Sequence, residues 1–196
     1  MRKLLLTPLL FVGVLALPAG AQTATTQMSS EPGKVHVQQT VTMQARVVGI
    51  DRADRIVTLK GSTGDTVDVV CGDEVRNFDQ IKLGDQVTAR YVESLYLELK
   101  KTSTGVRERV EAEAGARAKL GERPAGMAVR EVVILADVTD VDPKNQTITL
   151  RGPKKSVTLP VKNPDQFKVV KKGDQVEATY TQAFAISVDL APVLKK

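Results

Sequence analysis

Apolar and polar residues alternate along much of the chain with a period of two, the spacing of a strand that buries one face. Val87, Ala89 and Tyr91 alternate with Thr88 and Arg90, and after a polar kink expected at Glu93-Ser94 the pattern resumes with Leu95, Leu97 and Leu99. The same phase returns in Val176, Ala178 and Tyr180, then Phe184, Ile186 and Val188. Upstream of the first such run, the β-branched stretch from Val41 to Ile50, the polar residues 51–55 and the segment Ile56 to Lys60 read as a hairpin. Gly61 to Asp65 supplies another turn and Thr66 to Cys71 a third strand. Phe78 to Leu83 is a connector of one helical turn, and the Gly84-Asp85 turn opens the last strand.

This arrangement is written twice. The segment from Ile50 to Gly61 aligns without a gap on Val141 to Gly152, with Asp, Thr, Leu and Gly coinciding. The block from Phe78 to Tyr91 aligns on Phe167 to Tyr180 in the same way. Repeats define architecture, so they take precedence over local propensity. The units predicted are 41–100 and 132–191, mainly β, each a small five-stranded antiparallel barrel of OB-like form. Closure is favoured because it removes exposed strand edges. Two tandem barrels are the simpler expectation; one β body with shared strands is the alternative.

The flanking segments read differently. Residues 101–131 are expected to form a helical spacer: 106–120 is rich in Ala, Glu, Arg and Lys, Thr104 is placed to cap, Glu113 and Arg117 are spaced i,i+4, and Gly121 and Pro124 follow. Residues 22–40, with many Thr, Ser and Gln, are expected to be a flexible leader, and 192–196 a tail. At the start, Arg2 and Lys3 precede an apolar run from Leu4 to Leu17, and Ala19-Gly20-Ala21 is a small-x-small cleavage site. Residues 1–21 thus read as a signal peptide cleaved after Ala21, which implies a periplasmic protein. The uninterrupted apolar run from Leu9 to Leu17 is shorter than the ~20 residues a membrane-spanning helix needs.

Composition narrows the chemistry. The 196 residues include one histidine, one cysteine and no tryptophan, which excludes sites built from several His or Cys ligands and any disulfide within the chain. Without Arg2 and Lys3 there are 26 basic against 23 acidic residues, a net charge of +3, intermixed rather than clustered. Neither a nucleic-acid footprint nor a polybasic membrane patch is indicated. No G-x-S-x-G, H-E-x-x-H or phosphate-binding glycine loop occurs.

Because folding residues should recur in both copies, a functional residue should break the symmetry. Cys71 matches Val161 and reads as a small buried hydrophobe. Asp137, Asp140 and Asp142 lack the glycine and distal glutamate of a calcium loop, and Asp85 and Asp174 read as turn residues. Phe78 pairs with Phe167, Tyr91 with Tyr180 and Phe184 with Leu95, so only Tyr96 is left as a candidate exposed ring. His36, Met43 and Cys71 are the only candidate soft metal ligands, and no catalytic, cofactor or metal residue is assigned.

The signal peptide and the paired blocks ending Lys82-Leu83-Gly84-Asp85-Gln86-Val87 and Lys171-Lys172-Gly173-Asp174-Gln175-Val176 resemble those of exported proteins of Gram-negative bacteria built from small β-barrel repeats. That resemblance covers most of residues 41–191 and implies an architecture without implying a reaction. Each repeat is more remotely similar to the periplasmic copper-binding barrel of copper-efflux systems. That family uses a histidine, two methionines and a tryptophan. Here tryptophan is absent and Met28, Met43 and Met127 are dispersed, so the ligand set is not carried over. The expected function is a non-catalytic periplasmic binding or envelope-associated protein, its partner an unknown protein or envelope component, with no cofactor, no nucleic acid and no membrane span after cleavage. Copper handling is the alternative and an enzyme the third reading. If the duplication governs the fold, Val87 and Val176 must both be buried.

Overall fold

The computed structural model describes residues 21–72, 75–101 and 105–189. Apart from Ala21, the signal peptide lies outside the described residues, as do Thr104 and the tail. The strands are β1 (Ala21–Glu31), β2 (Lys34–Asp51), β3 (Ile56–Lys60), β4 (Thr66–Val70), β5 (Gln86–Lys100), β6 (Glu108–Arg117), β7 (Ala125–Asp142), β8 (Thr147–Arg151), β9 (Ser156–Pro160) and β10 (Gln175–Asp189). A 3₁₀ turn at Phe78–Gln80 precedes β5, and a one-turn helix α1 (Gln166–Val169) stands at the matching place before β10. All ten strands belong to one open antiparallel sheet ordered β4-β3-β2-β5-β10-β7-β8-β9, with β1 pairing the first part of β2 and β6 the first part of β7.

Duplication is visible strand by strand. Both long strands β2 and β7 carry a bulge at equivalent places, between Val47 and Gly49 and between Val138 and Asp140. Both following turns are held by an aspartate: Asp51 accepts the N–H groups of Ala53 and Asp54, and Asp142 those of Lys144 and Asn145. The expected turns at Gly84 and Gly173 have φ of +89° and +95°, a conformation open to glycine without strain. Asp85 and Asp174 then close those turns by accepting the N–H of Lys82 and Lys171.

Several expectations are corrected. The segment 101–131 is not a helical spacer: it contributes β6 and the start of β7. Val110, Ala112, Ala114 and Ala116 alternate with Glu111, Glu113 and Arg117, and this period of two, with a long partner strand alongside, prevails over the helix propensity of Ala and Glu. Glu113 faces Arg130 across the ladder instead of Arg117 along a helix. The leader 22–40 is not flexible but forms β1 and the first part of β2, a hairpin reversed at Pro32-Gly33 with Gly33 at φ +79°. The kink at Glu93-Ser94 is absent, since β5 runs unbroken. The repeats therefore span 21–100 and 108–189, and they are not two separate barrels.

They form two cores within one sheet. β5 and β10 pair over their full fifteen residues, from Gln86 opposite Asp189 to Lys100 opposite Gln175. Val47, Val57, Leu59, Phe78, Ile81 and Val87 of the first repeat are completed by Val188 and Ile186 of the second. Reciprocally, Val138, Ile148, Leu150, Val170 and Val176 are completed by Leu97 and Leu99 of the first. Val87 and Val176 are 6% and 7% exposed. Each repeat thus closes the other's core with the far end of its last strand.

The hairpins repeat the exchange. The tip of β1-β2 docks on the second core through Gln166, whose Oε1 accepts the Gly33 N–H at 2.9 Å and whose Nε2 donates to the Ser30 hydroxyl and the Glu31 carbonyl. The 118–124 loop of β6-β7 docks on the first core through Asn77, the repeat counterpart of Gln166. Asn77 donates to the Lys119 carbonyl at 2.7 Å and accepts the Gly121 N–H at 3.1 Å. Gln166→Ala should cost about 1–3 kcal/mol, because buried backbone groups lose their partners. Val138→Ala should cost about 2 kcal/mol from two lost methyls and the space they leave. Urea denaturation measures both, and a single transition in each variant is expected because the cores share strands.

Candidate functional site

Paired residues in an antiparallel ladder present their side chains on the same face. One face of the central strands can therefore be read as successive rows. The middle row runs Thr26, Gln39, Glu93, Gln182, Arg130 and Glu113, entirely polar. The local two-fold relation between the repeats passes through its Glu93–Gln182 pair. On one side lies Val41, Tyr91, Phe184, Ala128 and Gly115; on the other, Met28, Val37, Leu95, Tyr180 and Val132. The polar row thus divides an apolar face into two halves, each leading to one core.

A hydrogen-bonded group marks the divide. The Tyr180 hydroxyl donates to Glu93 Oε1, and Gln182 Nε2 donates to the Tyr91 hydroxyl at 2.9 Å. Burial and the adjoining Glu93 carboxylate push the Tyr180 phenol well above its ordinary range. A phenol that ionises later in the folded chain than in the unfolded one contributes its full stability below the ordinary phenol pKa of about 10 and loses it as pH rises above that value.

Where each core meets the hairpin of the other repeat there is an apolar cleft. Cleft 1, of 520 Å³, lies between Val69, Val70 and Cys71 on one wall and Gly115, Gly126 and Phe184 on the other. Cleft 2, of 210 Å³, lies between Leu159 and Val161 on one wall and Met28, Val35 and Leu95 on the other. The difference follows from the side chains at matching rows. Met28, Val35 and Val37 fill cleft 2, where cleft 1 has Gly115, Gly126 and Ala128. The turn at the tip of β1-β2 is two residues long, whereas the corresponding loop of β6-β7 spans 118–124. A shallow basin of 590 Å³ continues from cleft 1 across Glu113, Arg130 and Gln182.

One charge also breaks the symmetry. Arg117 lies in the row Arg117, Gly126, Ile186, on the face that carries the first core, and it lines cleft 1. Among the described residues its side chain has no hydrogen-bonding or ionic partner. The matching position in cleft 2 is Ser30, whose hydroxyl and carbonyl are engaged by Gln166 and Asn163.

The residues singled out by sequence fall as follows. Cys71 is 9% exposed, packs in the first core and lines cleft 1. His36 lies on the opposite face of the sheet, edge-on to Tyr96 with ring centres 6.2 Å apart. Met43 projects from the other side of β2, seven residues or roughly 23 Å along the strand from His36. The three soft ligands are not brought together, and among the described residues no cluster of three His, Cys, Asp or Glu could hold a metal. Asp137 pairs with Arg107 and accepts from Gln175, while Asp142 serves its turn. Asp85 and Asp174 do more than turn the chain: Asp85, 2% exposed, lies 3.7 Å from Arg123 of the docking loop, and Asp174 accepts from Lys101 at 2.9 Å.

Gly115, Gly126 and Arg117 were missed in the sequence because they fall in segments read as spacer. The signal that finds them is the symmetry test, once the repeat is extended to 108. No family model, curated protein or solved structure matches the chain.

Spectrophotometric titration should show the Tyr180 phenol ionising well above the ordinary range. Stability measured between about pH 9 and 11 should fall with rising pH in the unmodified chain. Tyr180→Phe should remove the late phenol and flatten that fall, whereas a Tyr180 phenol ionising in the ordinary range would contradict the buried arrangement.

Proposed function

We propose that the chain is a non-catalytic binding protein, exported to the periplasm by residues 1–21, and that cleft 1 is where it binds a small apolar ligand. The observation that carries this reading is the inequality of two clefts made by one duplication. Packing alone favours filling both, since a space lined by apolar atoms forfeits dispersion contacts. Cleft 2 is filled by Met28, Val35 and Val37; cleft 1 is held open by glycines at two of the matching positions. At 520 Å³ it lies within the range of about 300–1,000 Å³ usual for ligand pockets, and 210 Å³ lies below it.

The copper alternative gains no support from geometry, because His36 lies on the face opposite Met43 and Cys71. The single thiol and the single imidazole are on opposite sides of the sheet, so they do not form a nucleophile and base pair. Export rests on Arg2, Lys3, the apolar run to Leu17 and the small residues before Gln22.

Cys71, the only thiol, lines the cleft and reports on its occupancy. A naphthalene sulfonate dye should bind one per chain and slow the reaction of Cys71 with a thiol reagent at least several-fold. Gly126→Val places in cleft 1 the side chain that Val35 already places in cleft 2, and an added Cβ at Gly126 meets nothing nearer than the Ala116 carbonyl oxygen at 3.7 Å. That variant should fold as before and bind no dye. Dye binding unchanged by Gly126→Val would place the ligand elsewhere and remove the reading. Export is checked separately by osmotic-shock fractionation, with a mature amino terminus expected at Gln22.

A further inference from the structure

We propose that the occupant of cleft 1 is a free single-chain acyl carboxylate, its chain along the floor between Phe184, Ile186 and Val69 and its carboxylate on the Arg117 guanidinium. The inference rests on cleft 1 being the binding site and adds the chemistry of the ligand.

Charge complementarity selects the head group. Among the described residues the cleft lining is apolar apart from Arg117, which lies abreast of Gly126 and Ile186 and has no partner there. Two arginines nearby are already engaged: Arg123 donates to the Val188 carbonyl and pairs with Asp85, and Arg130 pairs with Glu111 and Glu113. The guanidinium in the lining calls for one negative charge, and its planar fork matches a carboxylate through two parallel hydrogen bonds. A phosphate monoester, with up to two charges, would leave one uncompensated.

The floor selects a chain. Val69, Ile186 and Phe184 present hydrocarbon and ring edges, and the basin beyond Phe184 turns polar at Gln182 and Arg130. The apolar path is therefore bounded, with a cation along one wall and a polar row at its end, which suits an amphiphile of limited length rather than a polymer. A volume of 520 Å³, in the lower half of the usual ligand range, accommodates one chain rather than the paired chains of a membrane lipid. Cleft 2 differs in both respects: its volume is smaller, Ser30 stands where Arg117 would, and the cation in its lining is the ammonium of Lys162 rather than a planar guanidinium.

The test uses the purified chain with 11-(dansylamino)undecanoic acid and the methyl ester of the same probe. The absence of tryptophan leaves the dansyl signal free of indole emission. The acid should bind one per chain, the ester at least five-fold more weakly, and Arg117→Gln should reduce acid binding to the level of the ester while leaving the ester unchanged. Unlabelled fatty acid should displace the probe, and vesicles of phosphatidylglycerol and phosphatidylethanolamine should not sediment the chain. Equal binding of acid and ester, unaffected by Arg117→Gln but lost in Gly126→Val, would overturn the head-group assignment and leave the cleft as the site. Binding that survives Gly126→Val, or none of either probe, would overturn both. Sedimentation with vesicles, reduced by Arg117→Gln, would assign the anion to a lipid surface and overturn the free acyl chain.

Discussion

The pairing of β5 with β10 is the constraint on which the molecule depends. Each of these strands is longer than one small core requires. Its first half completes its own repeat and its second half reaches into the other. A core of about eight short aliphatic and aromatic side chains is marginal by itself, because small units bury too little of their surface. Joining two of them through a continuous antiparallel ladder lets each supply the apolar wall the other lacks. The hairpin tips follow the same logic, with Gln166 and Asn77 at matching places holding the opposite repeat.

Duplication also gives the molecule an internal control. Where both copies carry the same group, as at the aspartate turns and the Gly84 and Gly173 corners, folding explains it. Where they differ within one row, one copy shows what a packed wall looks like and the other what has been given up. Met28 against Gly115, Val35 against Gly126 and Ser30 against Arg117 all fall at one seam. The three differences work together: two remove side chains from a wall and the third adds a charge beside the space they leave.

The strands that flank the Gly-Asp corners were legible because their period-two alternation is strong and repeated. Ile56–Lys60 and the 3₁₀ turn at Phe78 stand where the pattern puts them, and the burial of Cys71 follows from its match with Val161. The spacer and leader were misread for a common reason. β6 is written in Ala, Glu and Arg and β1 in Thr, Gln and Ser, compositions that favour a helix and disorder respectively when no partner is considered. Each becomes a strand because the first part of β7 or β2 offers a ladder over its whole length. Glu93 was read as a kink because a charged residue at an apolar-phase position looks like an interruption. In the sheet it takes a hydrogen bond from Tyr180 and keeps its place in the row.

By itself the sequence determined the repeat, the strand phase, the tight turns and the absence of clustered ligands, because these depend on neighbours a few residues apart or on counting. Only the tertiary structure decided which strand ends close which core, that two segments without strong local preference become strands, and that Gly115, Arg117 and Gly126 share a wall with Phe184 and Cys71. Those outcomes depend on residues as far apart in the chain as Gln86 and Asp189, or Cys71 and Phe184, meeting across ladders and around one cleft, a proximity that local pattern does not encode.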